Sequence, residues 1–131
     1  MKKSILIIAV LFYCQTVFAQ PAIDVAFKTY SENGKLKFDV KRGQALWAKK
    51  YPGKDGKDRQ CTTCHGKDLT KNGKHARSGK TIKPMAPSVN KKRFTKMKKI
   101  KKWFKRNCKW TVGRECTNQE KGDILKFLSQ Q

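Results

Sequence analysis

Residues Cys61 to His65 read "CTTCH", two thiols separated by two residues with a histidine directly behind them. That spacing restricts the chemistry to a few classes. A dithiol redox site of the thioredoxin sort needs an alternating strand and helix pattern, and the flanking sequence lacks one. A structural zinc site needs a second Cys-x-x-Cys or a histidine pair at ligand spacing, and neither is present. Covalent attachment of haem c needs two thiols that reach the two vinyl groups of one porphyrin and a histidine beside them for the iron. The motif therefore predicts one covalent haem c, with Cys61 and Cys64 in thioether bonds and His65 as the proximal ligand. A bound haem also supplies a large apolar body for a chain too short to build a big core.

The start of the chain sets the compartment. "MKKSILIIAVLFYCQTVFAQ" has a basic start, an apolar run from Ile5 to Cys14, and small residues at Val17 and Ala19 in cleavage spacing. The run is shorter than the roughly 18 residues that cross a bilayer. Phe12 and Tyr13 are bulkier than a lipoprotein site before Cys14 normally takes. The expectation is a signal peptide over 1–19, cleaved after Ala19, and one cytochrome domain over 20–131 without a stable membrane anchor. The periplasm is the expected destination. Cys14 leaves with the signal, so Cys61, Cys64, Cys108 and Cys116 each need a covalent explanation in an oxidising compartment.

Charge is the other strong signal: 32 Lys and Arg stand against 9 Asp and Glu, a net +23. Such a balance points to nucleic acid or another anionic surface. Export argues against nucleic acid and leaves acidic proteins, anionic lipid and lipopolysaccharide. A purely basic binding module is the third class of function, behind a haem redox protein and a gas-binding haem protein. Ten of the sixteen residues from Lys91 to Arg106 are Lys or Arg. They are either a solvated helix face or a docking surface for an acidic redox partner.

The apolar periodicity predicts a mostly helical chain. "PAIDVAFKTY" gives a short helix over Pro21–Tyr30, ended by the polar turn "SENGK". A second helix is expected over Asp39–Lys50, with Val40, Gly43 and Trp47 on one face and Gly43 small enough for another helix to cross closely. Residues 51–60 and most of 66–90 read as loops on Pro and Gly content; the second is long enough to wrap something or carry function. From Lys91 to Asn107 the residues Phe94, Met97, Ile100, Trp103 and Phe104 recur at spacings of three and four, an amphipathic helix whose buried face would include Asn107. Thr117 and Glu120 have capping-box spacing ahead of a last helix over Asn118–Ser129.

Two questions remain open in the residues alone. Cys108 and Cys116 would close a nine-residue loop as a disulfide, either a plain staple or a device that fixes the backbone aiming Asn107. The distal iron ligand could be Met85, Met97, His75 or Asn107. Met97 fits the apolar stripe, and His75 sits in a polar loop. Met85, in the proline-flanked "IKPMAP", is favoured locally over Asn107, because electron-transfer cytochromes c place a methionine so.

The runs "CTTCHGKDLT", "GKTIKPMAPSVNKKRFT" and "WFKRNCKWTVGRECTNQEKGDIL" resemble the sphaeroides haem protein family of bacterial cytochromes c, from about Lys41 to the C-terminus. The resemblance implies an all-α, class I-like fold wrapped around one haem. It implies that Asn107 is the distal ligand in the ferric state and that Cys108 and Cys116 form a disulfide beside it. Met85 falls where that family requires no methionine. An amide oxygen is a hard, neutral donor that suits ferric iron better than ferrous, so reduction would free the distal position. The implied protein is high-spin, takes electrons from a dihaem cytochrome c, and binds small diatomic ligands such as oxygen or nitric oxide when ferrous. An opening distal position would also permit turnover, as a nitric oxide dioxygenase or in oxygen reduction. A low-spin electron carrier with His65 and Met85 is the alternative.

Overall fold

The computed structural model describes residues 21–53 and 55–131. The expected signal peptide, 1–19, lies outside the described residues. Five helices form the frame of the fold: α1 Ala22–Tyr30, α2 Val40–Ala48, the single turn α3 Thr62–His65, α4 Met97–Thr111 and α5 Asn118–Ser129. Two short antiparallel pairs interrupt the segments expected to be loops. Strands β1 Tyr51–Pro52 and β2 Asp58–Arg59 pair before the cysteine motif, and β3 Gly73–Lys74 and β4 Thr81–Ile82 pair after it.

The predicted close crossing is between α2 and α5. A Cβ on Gly43 would collide with the backbone carbonyl of Asp123 and come within 2.8 Å of Phe127 Cβ, so only glycine lets the two backbones meet here. Asp123, 1% exposed, seals the crossing. Its carboxylate accepts from the Asp39 N–H at 2.7 Å, from Arg42 Nε at 2.9 Å and Nη2 at 3.0 Å, and from Gln119 Nε2 at 3.0 Å. A buried carboxylate is tolerable only when its lone pairs are occupied in this way. Asp39 also caps α2, accepting from the Arg42 N–H at 2.8 Å. At the head of α5 the capping box forms as its spacing predicts, Thr117 accepting from the Glu120 N–H and the Glu120 carboxylate accepting from the Thr117 N–H.

The core has two parts. Trp47 of α2 packs with Leu69, Ala86 and the α5 residues Ile124, Phe127 and Leu128. Ala26 and Tyr30 of α1 pack with Ile100 of α4 and Leu125 of α5. Among the described residues no helix is long and apolar enough to cross a membrane.

The helix expected from Lys91 begins later and runs further, as Met97–Thr111. Residues 91–94 are in turns and Phe94 has φ +55°, outside helical space. The reason lies one residue back. Arg93 reaches across the chain to donate to the Pro84 carbonyl from Nε at 2.7 Å and to the Lys83 carbonyl from Nη2, and Asn90 Nδ2 donates to the same Pro84 oxygen at 2.9 Å. Those side-chain bonds hold 90–94 against the "KPM" loop, so helical periodicity there does not become helix.

Candidate haem centre

Cys61, Cys64 and His65 come together on α3 and its N-cap. The turn is backed by β3, where Gly73 passes so close that a Cβ would sit 2.9 Å from His65 Cα. Both cysteines are free, and Cys64 Sγ accepts from the Ala76 N–H at 3.4 Å. Burial pushes the Cys61 thiol up to about 11, so it stays protonated at neutral pH. Burial, with a smaller push from the Arg93 cation, lowers His65 to about 4. The imidazole is therefore neutral and presents a lone pair, the form a metal requires. Its ring lies 5.2 Å from the ring of Trp47.

Three features of the structure test whether these residues suit a haem. No group of three or more His, Cys, Asp and Glu side chains among the described residues is disposed to hold a bare metal ion. Trp47 Nε1 is buried without a hydrogen-bond partner, an orphan donor beside the His65 ring. On α4, Trp103, Asn107 and Trp110 follow at i, i+4 and i+7 and share a face, with Trp103 48% and Trp110 37% exposed. Two large, partly exposed indoles on one face, with Arg106 over the Trp103 ring at 5.2 Å and Arg59 over the Trp110 ring at 4.8 Å, make a surface whose uncovered part suits an apolar body. Two free thiols, a neutral histidine and an aromatic face make a donor set that fits haem c.

Asn107 is exposed, which corrects the expectation that it lies on the buried face of its helix. The apolar arc of α4 is wider than the surface that α1 and Leu125 cover. Ile100, Cys108 and Thr111 take the covered part, and Asn107 sits at its uncovered edge between them and the tryptophans. Cys108 and Cys116 are disulfide-bonded with Cα atoms 5.6 Å apart. Met85 packs against the cluster of Trp47 and Leu69, and its N–H donates to the Leu69 carbonyl at 3.0 Å. Met97 packs against the Ala26 and Tyr30 cluster. His75 is exposed in a turn, its Nδ1 bonded to the Ser78 N–H at 3.1 Å.

Sequence reasoning overlooked Arg93, whose half-buried guanidinium bears on His65, and Arg59, two residues before Cys61. Both act through partners distant in the chain, so no local pattern marks them.

Residues 33–128 match a family described as a domain of unknown function, DUF1924. The cytochrome c-type protein SHP of Cereibacter sphaeroides is 44% identical over 93 residues, 71% of each chain. A structure of oxidised SHP, described as an oxygen-binding cytochrome c, superposes with a TM-score of 0.77 at 38% identity, covering 86% of this chain and all of that one. Oxidised cytochrome c'' from Methylophilus methylotrophus superposes at 0.73 with 28% identity, over 84% of this chain and 94% of that one. The small cytochrome c fold expected from the sequence is thus the fold found. The chain belongs to the DUF1924 family and, with SHP, to the sphaeroides haem proteins, cytochromes whose cofactor is covalently bound haem c.

Proposed function

We propose that the protein is a periplasmic mono-haem cytochrome whose distal side is held by Asn107 when ferric and opens on reduction to admit a small diatomic ligand. The observation that carries this reading is the Trp103, Asn107, Trp110 face of α4, with the disulfide anchored at the residue next to Asn107. Oxygen binding by SHP supports it. The haem, when bound, supplies an iron that changes oxidation state and accepts a small ligand.

This chain's residues do the rest. Cys61 and Cys64 would hold a haem through two thioether bonds, and neutral His65 would offer its lone pair to the iron. Asn107 offers a neutral amide oxygen, a donor matched to ferric iron and weakly held by ferrous. Its helix tolerates release because Asn107 makes no side-chain bond among the described residues and α4 keeps its buried stripe and disulfide. Met85 is engaged with the same cluster as Trp47, whose ring backs His65, and this weighs against it as the opposite ligand. The leader over 1–19 and the disulfide support export.

Electrons come from an acidic partner, a dihaem cytochrome c on the family pattern. Lys98, Lys99, Lys101, Lys102 and Lys105 of α4 are exposed and form no salt bridge with any described acid, whereas Lys109 pairs with Glu115 at 3.3 Å. An unneutralised row of cations steers an acidic protein and makes association sensitive to salt.

The test is the absorption spectrum of the purified holoprotein, reduced and then exposed to carbon monoxide. A high-spin ferrous spectrum that shifts at once with the gas is expected. A low-spin ferrous spectrum indifferent to carbon monoxide would overturn the reading in favour of an electron carrier ligated by Met85.

A further inference from the structure

Arg59 joins the two halves of the haem centre. It lies on β2, paired with Tyr51 of β1 and two residues before Cys61. Its Nη1 donates to the Trp110 carbonyl at 3.0 Å, and its guanidinium lies 4.8 Å from the centroid of the Trp110 ring. Its Nη2 is 3.2 Å from an Asp55 carboxylate oxygen, and the side chain is only 21% exposed. Trp110 is in the last turn of α4, three residues after Asn107. Carbonyls in that turn have no partner within the helix, and a cation there also complements the helix dipole. One side chain therefore ties the strand that leads into the cysteine motif to the turn that carries Asn107. The disulfide ties the other side of that turn to the start of α5.

We propose that Arg59 is a positioning residue for the distal ligand: by clamping Trp110 it sets the last turn of α4 against the Cys61–His65 motif, and so holds Asn107 in place. The proposal rests on the reading of Asn107 given above. Arginine suits the task because its planar fork stacks on the indole while separate nitrogens reach the Trp110 carbonyl and Asp55. A lysine at 59 would keep the charge and lose the stack and one of the two polar contacts. Glutamine would lose the cation as well.

The experiment uses ferric holoprotein and cyanide, a probe that must displace the distal ligand. Stopped-flow rates are compared for wild type, Arg59→Gln, Arg59→Lys, Asn107→Ala and the double variant Arg59→Gln/Asn107→Ala. Arg59→Gln is expected to speed cyanide binding about tenfold, with Arg59→Lys in between, and to add nothing once Asn107 is gone, the signature of two residues acting through one step. Arg59→Lys keeps the test decisive if the glutamine variant folds poorly. Unchanged cyanide rates in the Arg59 variants, whatever their melting temperature, would reduce the clamp to a structural staple and overturn the proposal. So would an equal acceleration in the Asn107→Ala background, which would place the effect on general access. If Asn107→Ala itself leaves the ferric spectrum and cyanide rate at wild-type values, the distal assignment and the clamp fall together. If that variant responds and the Arg59 variants do not, only the clamp is lost.

Discussion

Asn107 and Cys108 are neighbours in the chain and face apart on α4: Cys108 is buried and bonded to Cys116, while Asn107 is exposed beside two tryptophans. About 100° of helical rotation separates adjacent residues, enough to put one in the core and the other at its open edge. The covalent anchor thus sits immediately under the side chain that is to be aimed. Replacing both Cys108 and Cys116 by serine should lower the stability of the holoprotein by about 2–3 kcal/mol, the effect of releasing a short loop. Denaturant titration measures that loss. The ferric spectrum of the same variant should broaden towards a mixture of distal states.

Asp123 and Arg42 form the polar seal of the α2 and α5 crossing. Asp123→Ala would leave the Asp39 N–H without its acceptor and take one of two from the Gln119 amide, which keeps the Lys37 carbonyl at 2.8 Å, at a cost of about 2–3 kcal/mol. Arg42 is half-exposed and would return to solvent, so the loss stays below that of a fully buried ion pair. Thermal melts of the holoprotein would show the effect as a lower transition with an unchanged ferric spectrum.

Gly43→Ala tests the crossing itself. The added methyl group meets the Asp123 carbonyl, which is backbone and cannot turn aside. Separating the helices should cost about 1–3 kcal/mol, as overpacking usually does. A melting temperature equal to wild type would mean that the helices have room to spare.

Glu120 makes stability depend on acid. Bonds from the Arg114 guanidinium, then from the Thr117 N–H, lower its carboxyl from 4.5 to about 2. Because the folded value lies below the ordinary one, the contribution is fully present above pH 4.5 and is lost as pH falls through 2. Arg114 is half-exposed, so solvent screening holds the contribution to about 1 kcal/mol. The stability gap between wild type and Glu120→Gln, measured by denaturant at pH 6 and pH 2, should shrink at the lower pH.

Much of this was legible in the residues, for identifiable reasons. The Cys61, Cys64, His65 cluster lies within five positions and needs no tertiary information. Gly43 and Trp47 gave the crossing face because helix geometry converts spacing into direction, and Thr117 with Glu120 gave the start of α5 because capping is local. Asn107 lies on the helix its spacing predicts but not on the covered face, since spacing gives an angle and cannot say which neighbour covers it. Phe94 continued the helical period, yet the chain turns there because Arg93 is bonded to a loop ten residues back. Arg59 was silent, its partner Trp110 being 51 residues away.

The most direct test of the account is the ferric absorption spectrum of Asn107→Ala set beside that of Met85→Ala. The account predicts that loss of Asn107 shifts the ferric bands to those of an open or water-ligated iron, while loss of Met85 leaves them at wild-type positions. A spectrum that survives Asn107→Ala and collapses in Met85→Ala would contradict it.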